Sequence, residues 1–281
     1  MPWPNLPSAQ PQGTHRMCRF LAYHGTPIFL EELIASPSHS LIKQAIHATE
    51  SRSETNGDGF GIGWYGERER PGLYREVHPA WSDENLLSIC SQVRSHLFFA
   101  HVRAATGTAT SRANCHPFAV GRFMFMHNGQ IGGYRAIRRR IETYIPDSLY
   151  AARVGTTDTE ALFLTALAND LEADPVRAME TTLGLVMAEM DRAAIGAPLR
   201  LTAALTDGQT IWAFRWASDH SPATLYYQQS HGGTVVVSEP IDERREDWTP
   251  VPSGRVLVAR HGEKPVLRDL NPVVPAGSGL A

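Results

Sequence analysis

The chain has 281 residues, 42% hydrophobic and 20% charged, as in an ordinary globular protein. Its 26 Lys and Arg against 29 Asp and Glu leave a formal net charge of −3, which gives no electrostatic case for nucleic acid or an anionic membrane surface as partner. No apolar run approaches the roughly 20 residues that span a bilayer, and three cysteines without paired spacing argue against a disulfide framework or zinc knuckle and for a reducing, cytoplasmic compartment.

Residues 1–17 carry Pro2, Pro4, Pro7 and Pro11 and lack the apolar stretch of a secretory signal. They read as a disordered leader, a start codon assigned upstream of Met17, or a cleaved propeptide. Each leads to the same expectation, that residues 1–17 are removed and Cys18 becomes the first residue. Residues 18–23 look like a buried strand, and Ser38 to Glu50 has apolar residues at helical spacing. Asn56-Gly57-Asp58-Gly59 signals turns, and Phe60 to Tyr65 reads as a strand. Its glycines do not follow a strand and open a helix, so they are not a phosphate loop; glycine inside a strand marks close backbone approach. A helix is expected over Asp83 to Arg94.

Two strands then end in polar groups. Phe98 to Thr106 runs out at His101-Val102-Arg103, and Phe123 to Met126 ends at His127-Asn128-Gly129, with the loop Asn114-Cys115-His116-Pro117 between them. Such endings can meet at one sheet rim, where a buried Arg103 needs an anion. Asn128-Gly129 is either a tight turn or an oxyanion hole, a side-chain amide and a backbone N–H aimed at one oxygen. Arg135 to Tyr144 is an amphipathic helix with a solvated basic face. Thr156-Thr157-Asp158-Thr159-Glu160 before the apolar run 161–168 is either a plain helix N-cap or a substrate contact. A helix over Pro175–Arg192 follows, then strands over Leu199–Thr206, Thr210–Trp216, Thr224–Gln228, Thr234–Ser238 and Gly254–Arg260, with Asp207-Gly208 a hairpin turn. Residues 266–281 are expected to be a flexible tail. Without repeat or linker the chain reads as one domain, 18–265, two stacked sheets covered by helices. Cys90 and Cys115 are read as packing residues; a zinc site of Cys115, His101 and His116 is disfavoured by spacing.

An N-terminal cysteine combines a thiol of pKa about 8.5 with an α-amine of about 7.7–8.0. The amine can take the thiol proton and return one to a leaving amine. Arg103 and Asp158 can clamp the carboxylate and ammonium of an α-amino acid. The substrate implied is a γ-glutamyl amide.

The runs MCRFLAYHG, NGDGFGIGWY, AHVRAAT, NCHPF, HNG and TTDTE, in that order, resemble the class II glutamine amidotransferases. The resemblance spans Cys18 to about residue 265. It implies an α+β fold, the four-layer α-β-β-α sandwich of N-terminal-nucleophile hydrolases. It also implies Cys18 as nucleophile with its α-amine as base, Arg103 for the substrate α-carboxylate, Asn128 and Gly129 for the oxyanion, and Asp158 for the substrate α-amine. Thr106 and His116 match motif positions near the substrate. Family members often show Trp and His where this chain has Ala104 and Gly107. No synthase domain follows the amidase module, so the chain is similar to the stand-alone branch that hydrolyses γ-glutamyl compounds in ergothioneine synthesis and glutathione breakdown. The expected reaction is hydrolysis through a Cys18 thioester, with no cofactor and no metal. The alternatives are a glutaminase subunit that delivers ammonia to a separate protein partner, and a non-catalytic γ-glutamyl-binding module.

Overall fold

A computed structural model describes residues 18–46, 56–104 and 109–274. The expected leader, Thr106, Gly107 and residues 275–281 lie outside the described residues. Along the chain the strands are β1 (Arg19–Phe29), β2 (Phe60–Trp64), β3 (Gly72–Glu76), β4 (Arg94–Val102), β5 (Phe118–Val120), β6 (Phe123–His127), β7 (Gln130–Ile131), β8 (Leu199–Thr206), β9 (Thr210–Ala217), β10 (Tyr226–Ser230), β11 (Gly233–Val237), β12 (Thr249–Pro250), β13 (Arg255–Arg260) and β14 (Val266–Asp269). The helices are α1 (Glu31–Ile34), α2 (Leu41–Ile46), α3 (Glu84–Gln92), α4 (Tyr134–Glu142), α5 (Asp147–Tyr150), α6 (Asp158–Ala168) and α7 (Pro175–Arg192).

The strands form two sheets. One has the order β12-β10-β11-β1-β4-β2-β3, the other β14-β13-β9-β8-β6-β5, with β7 added beside β8. Side-chain alternation along each strand assigns its two faces. Phe20 and Ala22 of β1 join Met124 and Met126 of β6 in the core between the sheets. Leu21 and Tyr23 join Leu33, Leu41 and Leu86 under α1, α2 and α3. Phe125 joins Ile137, Leu162 and Leu183 under α4, α6 and α7. The result is four layers, helix–sheet–sheet–helix, as expected.

Local sequence sets the ends of the helices. Asp83 accepts the Leu86 N–H at 2.8 Å and caps α3. Asp174 accepts the Val176 and Arg177 N–H groups at 3.1 Å, and Pro175 opens α7, where a missing N–H costs nothing.

The glycines of β2 serve close approach. A Cβ on Gly61 would stand 2.1 Å from the His116 carbonyl oxygen, so the loop 114–117 lies directly on this strand. Several elements differ from expectation. β4 begins at Arg94 because Ser95 and Arg94 pair with Ile28 and Phe29, beyond an irregularity in β1. β3 is an edge strand whose single partner is β2. Residues 266–269, expected within the tail, form β14 beside β13; Leu270 is buried, and the Val273 N–H donates to Glu180 O at 3.2 Å. Of the helix expected over 38–50, Leu41–Ile46 is observed and 47–50 lie outside the described residues. Among the described residues no helix is long and apolar enough to cross a membrane.

Candidate active site

The antiparallel pairing of β1 with β4 places Arg19 opposite Val102. The start of one strand therefore meets the end of the other, and Cys18 sits against Ala104. The Cys18 Sγ lies 3.4 Å from the Ala104 N–H that donates to it and 3.6 Å from the Ala104 carbonyl. On the other sheet β6 ends at the same rim, where the His127 carbonyl lies 3.4 Å from His101 Nε2 of β4. A cavity of about 350 Å³ opens there, bordered by Cys18, Arg103, His116, Gly129 and Asp158. Four of the residues expected at the site from separate motifs thus join Cys18 around one space.

Arg103 is 3% exposed. Its backbone is fixed by an N–H donated to Gly59 O at 2.8 Å and a carbonyl that accepts from Asp58 N at 3.1 Å. Its guanidinium donates to Asp58 O at 3.3 Å and Ala109 O at 3.4 Å. At Asp158 the two sequence readings are reconciled. Thr157 is the N-cap of α6, its hydroxyl accepting the Glu160 N–H at 3.2 Å. Asp158, the first helical residue, faces the cavity. Its Oδ1 accepts from Thr159 N at 2.8 Å and its Oδ2 from Ile131 N at 2.9 Å. A carboxylate there also suits the positive end of the helix dipole.

Asn128 is buried at the end of β6, and its N–H donates to Thr202 O at 2.7 Å. Gly129 borders the cavity, whereas Asn128 is not among its lining residues. The Gly129 N–H has no acceptor among the described residues. His116 is 5% exposed, and neither ring nitrogen has a hydrogen-bond partner among the described residues. The ring lies 4.1 Å from that of His101 and edge-on to Phe118. His127 donates from Nε2 to Arg200 O at 3.0 Å, so its Nδ1 accepts from the Thr159 hydroxyl at 3.1 Å.

Burial dominates the electrostatics. It holds His101 down to about 3, with Arg103 and His127 adding repulsion. It holds His116 well below the ordinary imidazole range and lowers His127 as well. The three rings are neutral at neutral pH. At Cys18 burial pushes the thiol up, against the Ala104 hydrogen bond and the charges of Arg103 and Arg19, while Asp158 adds to the rise.

Several neighbours of the site were not found from sequence. Arg19 and Glu239 form a fully buried ion pair, Nε to Oε2 at 2.8 Å, and Arg19 Nη1 donates to the Cys18 carbonyl at 3.1 Å. An arginine inside an apolar strand signals a buried partner, yet that partner is 220 positions away. The first turn of α4, Tyr134 and Arg135, also borders the cavity rather than joining a wholly solvated face. Among the described residues no cluster of three or more His, Cys, Asp or Glu is placed to hold a metal ion.

The family model described as class-II glutamine amidotransferases matches residues 31–227. The probable glutamine amidotransferase DUG3 of Saccharomyces cerevisiae is 32% identical over 294 residues, covering 87% of this chain and 82% of its own. A γ-glutamyl-hercynylcysteine sulfoxide hydrolase of Mycolicibacterium smegmatis is 25% identical over 247 residues, covering 87% and 96%. A solved glutamine aminotransferase class-II domain protein from Silicibacter pomeroyi superposes with a TM-score of 0.73 at 42% identity, covering 91% of this chain and all of that one.

Proposed function

The chain belongs to the class II glutamine amidotransferases, and on that premise we propose that it hydrolyses a γ-glutamyl amide through a thioester on Cys18. The observation that carries this reading is one cavity bordered by a thiol, a guanidinium, a carboxylate and an N–H without an acceptor among the described residues: Cys18, Arg103, Asp158 and Gly129. The M. smegmatis relative is named as a hydrolase of a γ-glutamyl compound, which favours hydrolysis over delivery of ammonia to a partner.

In this mechanism residues 1–17 are removed and Cys18 carries a free α-amine. The substrate α-carboxylate lies on Arg103 and its ammonium on Asp158, which leaves the γ-carbonyl against Cys18 Sγ. The α-amine takes the thiol proton as sulfur attacks the carbonyl carbon. The oxygen gathers negative charge toward Gly129 N–H and the Asn128 amide. Collapse breaks the C–N bond, and the α-amine's proton goes to the leaving nitrogen. Water, deprotonated by the same amine, then attacks the thioester and releases glutamate and the thiol. Thr106 and His116 are read as substrate contacts; the His116 ring nitrogens, without a partner among the described residues, supply one donor and one acceptor.

The test is intact mass with and without substrate. The active protein is expected to start at Cys18 and, on rapid quench, to carry a γ-glutamyl adduct that Cys18→Ala lacks. Full activity in protein that retains residues 1–17, or in Cys18→Ala, rejects the mechanism.

A further inference from the structure

Arg103 and Asp158 arrive on separate segments, and one side chain joins those segments. Asn114 is 1% exposed. Its Nδ2 donates to Ala109 O at 2.8 Å, the same carbonyl that accepts from Arg103 Nη2 at 3.4 Å. Among the described residues its other side-chain hydrogen bonds go to Thr156. Nδ2 reaches Thr156 Oγ1 at 3.1 Å, and Oδ1 accepts the Thr156 N–H at 2.8 Å and lies 3.4 Å from its hydroxyl. Thr156 stands two residues before Asp158. A continuous path therefore runs from the Arg103 guanidinium through the Ala109 carbonyl and the Asn114 amide to the segment that opens α6.

Two further observations make this junction specific. At Gly155 the segments touch without room for a side chain; a Cβ there would stand 2.6 Å from Ala113 O and 2.7 Å from Asn114 Oδ1. The Asp158 side of the junction is itself braced. The Glu160 carboxylate accepts the Val154 and Gly155 N–H groups at 3.1 and 2.8 Å and pairs with buried Arg153, which also donates to Tyr134 OH at 3.0 Å.

We propose that Asn114 is a positioning residue that sets the separation between the carboxylate-binding and ammonium-binding halves of the substrate clamp. This rests on the reading of Arg103 and Asp158 given above. An amide suits the role because it alone among the short side chains offers donors and an acceptor from one plane. Asn114 touches no reacting atom, so its effect is on the fit of the α-amino acid end and not on the thiol.

The test compares two chromogenic anilides, γ-glutamyl anilide and its glutaryl analogue, which lacks the α-amine. Asn114→Ala and Gly155→Ala are expected to raise KM for the γ-glutamyl compound about tenfold, with a smaller change in kcat, since misplacement near 1 Å costs up to about a hundredfold. The preference for γ-glutamyl over glutaryl substrate should fall by a similar factor. Alkylation of Cys18 by iodoacetamide should keep its rate, because that reagent does not use the clamp. Thr156→Val, at an exposed position that loses the hydroxyl contacts to Asn114 at 3.1 and 3.4 Å but keeps the 2.8 Å backbone bond, should show the same pattern more weakly and covers the case in which the other variants do not fold. Arg103→Lys and Asp158→Asn serve as the reference. If they alter KM and preference while the Asn114, Gly155 and Thr156 variants do not, the positioning role is rejected and the clamp stands. If none of them alters either quantity, the clamp reading fails and the positioning role with it.

Discussion

At Cys18 the surroundings work against a standing thiolate. Burial raises the thiol, and the Ala104 N–H at 3.4 Å with the charges of Arg103 and Arg19 offsets only part of that rise. A nucleophile in this position needs a base in contact at the moment of attack. The imidazoles of the rim cannot serve, because burial keeps His101 at about 3 and His116 well below its ordinary value. The proposed base is the α-amine of Cys18 itself. The rising limb of kcat/KM against pH is then expected in the range of an α-amine, about 7–8, and not near the imidazole value of about 6.5. A limb centred near 6.5 in both the unsubstituted and the His116→Gln enzymes would assign the base elsewhere. Arg103→Lys should raise KM about 10–100-fold with a lesser effect on kcat, because a planar two-point grip on a carboxylate becomes a single point charge; steady-state kinetics measure it. Cys18, Arg103, Gly129 and Asp158 were legible because each ends a motif at a strand or helix terminus, and such ends gather at a rim. Asn114 and the Arg19–Glu239 pair were not, since their roles lie in partners 42 and 220 positions distant.

At the scale of elements, the rim depends on close packing of β2 against the loop 114–117. Gly61→Ala would place a methyl 2.1 Å from the His116 carbonyl. Backbone cannot rotate out of the way as a side chain can, so the expected loss is about 3 kcal/mol, the upper part of the usual overpacking range. The urea midpoint should fall with an unchanged slope, and KM should rise as His116 shifts. Thr157→Ala removes the α6 cap and should cost about 1 kcal/mol, read in the same titration. The glycines of Phe60–Trp64 announced this approach in the sequence. Elements with strong periodicity or good caps were legible to the residue, as in Pro175–Arg192 and Leu199–Thr206. β3 and β14 were not. Both lie at sheet edges with little buried surface, so their residues show no apolar alternation, and only the neighbouring strand makes them strands.

For the whole molecule, the sandwich stores one neutral histidine in the middle of β1 and another on β4 opposite the start of β1. His24 lies six residues from Cys18, roughly 20 Å along an extended strand, and burial lowers it to about 4, with His96 and His261 adding to the effect. His101 lies at the rim beside Cys18's cavity, at about 3. Each ring has a folded pKa below its unfolded value of about 6.5. As pH falls through 6.5 the unfolded chain takes up protons that the folded chain refuses, so stability is level above that pH and declines below it until the folded pKa is reached. At pH 5 each such ring costs about 2 kcal/mol, at about 1.4 kcal/mol for each pH unit below 6.5. Carboxylates lowered by ion pairs, such as Glu142 and Asp219, give up their contribution only below about pH 4.5. The interval from pH 6.5 to 5 therefore isolates the histidines. Urea unfolding is expected to show at least about 4 kcal/mol less stability at pH 5.0 than at 7.5, the sum for His24 and His101. His24→Gln should reduce that difference by about 2 kcal/mol without shifting the rising limb of kcat/KM, since His24 lies far from Cys18. Stability independent of pH over this interval would mean that the rings take up protons in the folded state.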